Sequence, residues 1–174
     1  SPGYDPLKIM VDVAHKNGMK IEAWVNPYRV TIGSTNYSKL SKNNPARKWH
    51  AKKSTSRNVL AYNGSLYYNP SKKDVRNLII NGAKEIVKNY KVDGIHMDDY
   101  FYPEFTSKNV KTAFDAKEYN KSSYKKNKKS IYTYRRAQVS TLVMDMKAAI
   151  KKINFKVTYG ISPAGNIDNL TSKY

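Results

Sequence analysis

The stretch Val92-Asp93-Gly94-Ile95-His96-Met97-Asp98-Asp99-Tyr100-Phe101-Tyr102-Pro103 decides the fold. It begins as a strand and ends in two carboxylates followed by aromatic residues. Because side chains alternate along a strand, Ile95 and Met97 point to one face, whereas His96 and Asp98 point to the other. An apolar face beside a His/Asp face is typical of a barrel strand, with helices outside and an active site inside. Taken alone, the stretch fits equally well a strand that ends in an acidic turn.

Two more segments, 19–27 and 155–163, show the same two-faced alternation, and each is predicted to be a strand. Met19 is expected on the apolar face of the first, and Phe155 on the apolar face of the second. Apolar residues at helical spacing predict three helices. The predicted helices are residues 6–16, which Asn17-Gly18 ends, residues 71–90 and residues 131–153.

The predicted order is helix and strand, three times over, which is typical of right-handed units with parallel strands. Each strand has one apolar and one polar face, which favours a barrel over an open sheet covered on both faces. An eight-stranded barrel needs about 250 residues, and three strands cannot close one. The fold class is therefore predicted to be α/β, a partial (β/α)8 barrel formed by a single incomplete domain over residues 1–174.

Two long connections separate these elements. Residues 27–70 are rich in Asn, Ser and Lys, with a short helix predicted near 44–49 and an extended segment at 65–70. A connection of this length inside a compact domain is usually functional. Residues 121–129 contain a dense run of lysines, which we interpret as a solvated loop, after a short helix near 113–119. The tail to residue 174 is predicted to be a loop.

The composition restricts the function classes. The formal net charge of +19 predicts attraction to polyanions, and no nucleic-acid-binding motif accompanies it. The 15 tyrosines suit polar, ring-shaped ligands such as sugars, although they also fit compositional drift. The chain contains no cysteine, which excludes disulfides and thiolate metal sites, and it has no apolar run that would span a membrane. No signal peptide stands at Ser1.

Six short segments occur in an order that resembles glycosyl-hydrolase-like family 10, a family of mostly secreted bacterial (β/α)8 barrels. They are Ser1-Pro2-Gly3-Tyr4-Asp5-Pro6-Leu7, Ala23-Trp24-Val25-Asn26-Pro27-Tyr28-Arg29, Asn44-Pro45-Ala46-Arg47, Leu66-Tyr67-Tyr68-Asn69-Pro70, residues 93–103 of the central stretch, and Gly160-Ile161-Ser162-Pro163. The resemblance covers nearly the whole chain. Its most specific parts are the Asn-Pro-Tyr-Arg and Asp-Asp-Tyr-Phe-Tyr-Pro segments.

The resemblance implies glycoside hydrolysis, with bacterial cell-wall glycan as the expected substrate and an extracellular or cell-envelope location. It also implies that the chain covers about the third to fifth strands of the barrel, so the fragment alone is expected to be weakly active or inactive. The basic charge suits an anionic wall polymer. We expect no metal, because the His/Asp pattern supplies too few ligands for one. We also expect no cofactor, and no specific nucleic acid, since no nucleic-acid-binding motif is present.

Glycoside hydrolysis needs two carboxyl groups, one a proton donor and the other a nucleophile or base. Asp98 is the leading candidate for nucleophile or base, because it continues the inward face of His96 at the end of the strand. The alternative is that it only orients Arg29 or a loop amide. Asp99 is the second catalytic candidate, but its outward parity also fits a loop cap. Glu104 is a further candidate for the acid, and we expect the proton donor on a missing strand.

Substrate contacts are predicted for polar and aromatic residues near the strand ends: Asn26, Tyr28, Arg29, His96, Tyr100, Tyr102 and Ser162. Residues 26–29 are alternatively loop anchors, and His96 is alternatively a buried, satisfied core residue. Asn26, Asp98 and Ser162 should lie together at one edge of the sheet. Glu22 should lie deeper, where a salt bridge to a lysine, Lys20 or Lys156, is expected. Trp24 is a candidate for stacking on sugar rings or, alternatively, for filling the interior of the barrel.

Two functions remain open from the sequence. The first is a secreted glycoside hydrolase acting on bacterial wall polysaccharide. The second is a non-catalytic carbohydrate- or wall-binding module that keeps the face of the barrel. Replacing Asp98 by Asn distinguishes them, because an enzyme would lose turnover while still binding glycan.

Overall fold

The computed structural model describes residues 3–98, 100–163 and 165 of the protein. The helices and strands, in chain order, are α1 (Pro6–Lys16), β1 (Glu22–Trp24), α2 (Pro45–His50), β2 (Val59–Tyr62), β3 (Ser65–Tyr68), α3 (Lys73–Asn89), β4 (Gly94–Met97), α4 (Ala116–Lys121), α5 (Ser123–Lys126), α6 (Ile131–Ile153) and β5 (Thr158–Ile161). Single 3₁₀ turns lie at Tyr37–Lys39 and Ser56–Asn58. No helix among the described residues is both long and apolar enough to cross a membrane.

The described residues divide into two compact units. The first, here called the sheet unit, consists of residues 3–26, 78–98, 142–163 and 165. The second, here called the hairpin unit, consists of residues 27–77 and 100–141.

The sheet unit contains a parallel three-stranded sheet in the order β1-β4-β5. This confirms the predicted α/β class with parallel strands. The central strand buries Ile95 and Met97 completely on one face. Helices α1, α3 and α6 contribute buried apolar residues to the same unit: Val11, Ala14, Ile79, Ala83, Val87, Leu142, Met146 and Ile150. One face of the sheet therefore belongs to the core, as strand alternation predicted.

Two strands are shorter than predicted, and the residues at their starts are exposed. Met19 is 55% exposed, because its N–H bonds back to the Ala14 carbonyl at the end of α1, before the chain reaches the sheet. Phe155 is 74% exposed, because Asn154 accepts hydrogen bonds from the N–H groups of residues 156 and 157 and thereby closes a turn. Both placements on an apolar strand face were wrong, since local turns hold these residues outside the pairing region.

The hairpin unit gives the long connection a structure of its own. Helix α2 begins as predicted, with Pro45 in its first turn and the Asn44 side chain accepting from the Ala46 N–H at 2.9 Å. Strands β2 and β3 pair in antiparallel fashion around Asn63-Gly64, both of which have positive φ. Ala46, Val59 and Leu66 form a small core under this hairpin. The first strand of the hairpin was not predicted.

The lysine-rich segment is also more regular than expected. Helix α4 lies near the short helix predicted around 113–119, and α5 falls inside the run that was interpreted as a loop. The Ser122 side chain accepts from the Lys125 N–H and so caps α5. Only one turn of helix results. Nearly all of the tail that was predicted as loop lies outside the described residues.

Candidate functional site

Asn26, Asp98 and Ser162 lie at the carboxyl ends of the three parallel strands. The register pairs Trp24 with His96, and His96 with Gly160. Backbone hydrogen bonds continue that register beyond the strands, from the Val25 N–H to the His96 carbonyl (2.8 Å) and from the Ser162 N–H to the Met97 carbonyl (2.9 Å). The three polar residues are therefore neighbours along one edge of the sheet, with Asp98 in the middle. Asn26 and Asp98 are half-buried, and Ser162 is exposed.

His96 joins the polar side chains of all three strands. Its Nε2 lies 3.0 Å from the Ser162 Oγ, and its Nδ1 lies 3.5 Å from the Glu22 Oε2. The Glu22 Oε1 in turn accepts a hydrogen bond from the Thr158 hydroxyl at 2.9 Å. The imidazole is partly exposed, with 31% of its side-chain surface accessible, so it is not a fully buried core histidine. The structure thus brings two predicted site residues, His96 and Ser162, into direct contact.

Glu22 lies deeper than this edge, because its Cα pairs with Gly94, four residues before Asp98. The depth of Glu22 agrees with the prediction, but its contacts differ from the predicted salt bridge to Lys20 or Lys156. Instead of a lysine, Glu22 contacts His96 on the adjacent strand β4 and Thr158 on β5 beyond it, since those side chains stand on the same face of the sheet. Sequence parity contained the signal for this contact, because Glu22 and His96 were both assigned to the polar face.

Gly94 provides the space that the Glu22 and Thr158 side chains occupy. A Cβ at position 94 would lie 2.6 Å from the Glu22 Oε1 and would overlap the Thr158 Oγ1. At Gly160, a Cβ would lie 3.3 Å from the His96 Nδ1. Glycine at position 94 therefore allows the Glu22–Thr158 hydrogen bond to pass over the central strand. Trp24, on the same side of β1 as Glu22, is 69% exposed.

In the hairpin unit, Arg29, Tyr67 and Tyr100 form a second cluster. The Arg29 guanidinium lies 4.7 Å from the centre of the Tyr100 ring, and the Tyr67 and Tyr100 hydroxyls are 3.4 Å apart. Arg29 also pairs with Tyr67 through a backbone bridge. Burial, aided by the Tyr100 hydroxyl, raises the pKa of Tyr67 to about 12. Sequence reasoning selected Arg29 and Tyr100 but missed Tyr67, although it lies in one of the segments that carried the family resemblance.

Tyr28 and Tyr102 are held within the hairpin unit. Tyr28 is 1% exposed and makes an edge contact with Phe101, at 6.5 Å between ring centres. The Tyr102 hydroxyl donates to the Asp115 Oδ2 at 2.9 Å, and burial together with that carboxylate raises its pKa well above the ordinary range. These positions favour the anchoring alternative for Tyr28. They also give the Tyr102 hydroxyl a partner inside the protein.

Asp115 is the centre of a buried polar network that sequence reasoning did not find. It is fully buried and accepts from Arg135, whose Nε is 2.8 Å from the Asp115 Oδ1, from Tyr102 and from the Ser71 hydroxyl at 3.1 Å. Arg135 also donates to the carbonyls of Val110 and Ala113. No local pattern predicts such a network, because its members come from four separate segments. It fixes the loop that carries Tyr102.

Two carboxyl candidates remain. Asp99 lies outside the described residues. Glu104 is exposed on the loop after Tyr102. No group of three or more His, Asp or Glu side chains within the described part of the chain is arranged to hold a metal ion.

Comparison with known proteins supplies the remaining evidence. A family model described as glycosyl hydrolase-like 10 matches residues 1–174. The chain is 38% identical over 168 residues to the glycosyl hydrolase YngK of Bacillus subtilis strain 168, covering 94% of this chain and 30% of that protein. It is 34% identical over 167 residues to the glycosyl hydrolase DigH of Escherichia coli strain K12, covering 95% of this chain and 37% of that protein.

The chain thus spans about a third of the length of these curated relatives. The match extends over every segment that carries a candidate residue, from the end of β1 to the end of β5. The parallel sheet, with its polar edge at the carboxyl ends of the strands, is the arrangement that the family resemblance led us to expect. The chain belongs to the glycosyl hydrolase-like 10 family.

Proposed function

We propose that the chain carries part of the active site of a glycoside hydrolase that acts on bacterial cell-wall or related polysaccharide, with Asp98 as nucleophile or base. The observation that carries this proposal is the position of Asp98 at the carboxyl end of the central parallel strand, between Asn26 and Ser162. In (β/α)8 barrels, catalytic groups come from this end of the strands. Family membership and the names of the relatives support the reaction class.

The three strands are proposed to be about the third to fifth of an eight-stranded barrel. The parallel sheet and the accessible Trp24/His96 face support that assignment. In such a barrel the proton donor is proposed to come from a strand outside these residues. The alternative is that Asp99 or Glu104, within them, supplies the proton. The contacting side chains of His96 and Ser162 would then hold sugar hydroxyls next to Asp98.

The substrate is proposed to be an anionic wall glycan. The protein is proposed to act on it outside the cell or in the cell envelope. The formal net charge of +19 supports an anionic partner through long-range attraction. Arg29 and Tyr100 are proposed to contribute a cation and an aromatic ring, both of which suit a polar sugar.

A non-catalytic glycan-binding module is the second candidate. The Trp24 ring beside Glu22 and His96 on the polar face of the sheet favours it, because an aromatic ring binds sugars without any chemistry. In that case Asp98 would only orient neighbouring groups.

Replacing Asp98 by Asn in the protein that contains this chain tests the proposal. Turnover, measured as new reducing ends released from purified wall glycan, should fall on the order of a thousandfold, because the carboxylate no longer attacks or accepts a proton. Glycan binding, measured by affinity electrophoresis, should change less than about threefold, since the amide keeps the shape and the hydrogen-bonding oxygen.

Asp12→Asn provides the control, because Asp12 is an exposed carboxylate on α1 whose ion-pair partner among the described residues is Lys8. It should leave both turnover and binding unchanged. Unchanged turnover in Asp98→Asn would assign the chemistry to another residue. The absence of turnover in every form, with binding intact, would favour the binding module.

A further inference from the structure

A basic cavity of about 430 Å³ lies in the hairpin unit. None of its lining residues belongs to the strand-end residues Asn26, His96, Asp98 and Ser162 or to the cluster around Arg29. Four cationic side chains line it, Arg57, Lys72, Lys117 and Lys121, against the single carboxylate of Glu118. The lining therefore carries three positive charges in excess.

The carboxylate of Glu118 is already neutralised by two of these cations. Arg57 donates from Nε and Nη2 to its two oxygens, both at 2.6 Å, and the Lys72 Nζ lies 3.2 Å away. Burial alone would raise the pKa of Glu118, but the hydrogen bonds and charges of Arg57 and Lys72 outweigh it and hold that pKa below its ordinary value. Glu118 is therefore ionised at neutral pH and positions the guanidinium.

Arg57 is held in place with donors to spare. Its Nη2 also donates to the Phe114 carbonyl at 3.0 Å, so Nε and Nη2 are both occupied. The two N–H groups of Nη1 have no acceptor among the described residues. A guanidinium that is fixed on one edge and open on the other binds an oxyanion at little cost in conformational entropy.

Lys117 and Lys121 contribute the charge that Glu118 does not neutralise. They stand one turn apart on α4, so their side chains project from one face of the helix. Both are exposed, and neither ammonium group forms an ion pair with any residue that the structure describes. Two ammonium groups next to an oriented guanidinium match the several oxygens and the charge of a phosphate group.

We infer that this cavity binds a phosphate group carried by a glycan or polyol polymer. Its volume is within the range of small-ligand sites and accommodates one phosphate with the adjoining sugar or polyol unit. Single-stranded nucleic acid is disfavoured, because its binding relies on exposed aromatic rings for stacking, and Tyr134, the aromatic residue of the lining, is 6% exposed. The phosphate site shares no residue with Asn26, His96, Asp98 or Ser162, so it stands apart from the assignment of Asp98, whereas the choice of a glycan or polyol carrier rests on the proposed cell-wall function.

Nuclear magnetic resonance titration of the ¹⁵N-labelled protein tests it, with a short oligomer of glycerol phosphate as the probe. Saturable shifts should appear in the backbone amides around residues 71, 72 and 117–121. The double variant Lys117→Ala/Lys121→Ala should weaken binding about tenfold, because two charge-assisted contacts are lost. The matched control is Lys84→Ala/Lys88→Ala, which removes two lysines at the same spacing from α3 and should change the affinity less than about twofold.

Three further probes complete the test. Inorganic phosphate should shift the same amides more weakly, which would identify phosphate as the recognised group and the polymer as its source. An oligomer of glutamate with the same number of charges should bind more weakly than the phosphate oligomer. Equal weakening in the two double variants, tighter binding of the glutamate oligomer, or tighter binding of single-stranded RNA would each overturn the inference. Activity of Asp98→Asn has no bearing on any of these outcomes.

Discussion

Glu118 and Asp115 show how the surroundings of single residues determine what an acidic side chain does in this protein. Both lie in the hairpin unit and bind arginine through short hydrogen bonds. Asp115 is fully buried, and it also accepts hydrogen bonds from the Tyr102 and Ser71 hydroxyls. Glu118 lies at the wall of a cavity and leaves one edge of Arg57 open. The first pair therefore stabilises a loop, whereas the second prepares a cation for a ligand.

Replacing Glu118 by Gln should lower the free energy of unfolding by about 2 kcal/mol at pH 7, because Arg57 and Lys72 lose a charged acceptor. The folded-state pKa of Glu118 lies below its ordinary value of 4.5, so its stabilising contribution is present above pH 4.5 and is lost as the pH falls through the folded pKa. Urea unfolding should therefore show the difference between the two proteins narrowing below pH 4.5. A difference that stays constant down to pH 3 would contradict the assignment.

Single residues differ in how far sequence alone could place them. Strand parity placed Asn26, Asp98 and Ser162 at one edge of the sheet, because alternation is a local property of the chain. The Arg135–Asp115 pair and the Tyr67–Tyr100 contact join residues 20 and 33 positions apart. Such contacts depend on how loops return through space, and a one-dimensional pattern does not contain that information.

Among the elements, the helices were the most predictable and the hairpin was the least. Periodicity placed α1 and α6 with their bounds, because a buried stripe recurs over several turns. The hairpin was missed although its turn, Asn63-Gly64, is a strong signal for two paired strands. The weak alternation in Val59–Tyr62 concealed it within a polar connection. Backbone pairing between β2 and β3, rather than alternation of apolar and polar side chains, defines this element.

Two alanine substitutions for glycine should have opposite effects at the two kinds of element. Gly64→Ala should destabilise the protein by about 1 kcal/mol, because φ at position 64 is 72° and a side chain there is strained. Gly82→Ala, within α3, should stabilise it by about 1 kcal/mol, because its added Cβ meets no atom within 4 Å and alanine favours the helix. Thermal unfolding of both variants measures the signs. A loss of stability in both would refute the helical argument, and a gain in both would refute the turn argument.

Over the whole molecule, tyrosine is the main aromatic residue, with 15 tyrosines against 4 phenylalanines. Several of them are buried, and burial raises the pKa of Tyr159, like that of Tyr67, to about 12. The unfolded chain would ionise these groups near the ordinary value of 10.0. Above that pH the folded state retains protons that the unfolded state releases, so its stability decreases.

The protein should therefore unfold at alkaline pH, with stability lost progressively between pH 10 and about 12. Tyrosinate absorbance in the near ultraviolet should rise together with the loss of circular dichroism. Tyr67→Phe should reduce the dependence of stability on pH in this range, whereas Tyr4→Phe should not, because Tyr4 is 62% exposed. Full ionisation before any loss of circular dichroism would show that burial does not protect these hydroxyls.

Gly94 also restricts how this sequence can drift. Any side chain at position 94 would meet Glu22 and Thr158, two residues that bond above it from strands far away in the chain. Alanine at 94 requires the Glu22 carboxylate or the Thr158 hydroxyl to move, which breaks their hydrogen bond and changes the contact between Glu22 and His96. The three positions are therefore epistatic, because a substitution at any one of them changes which substitutions the other two tolerate.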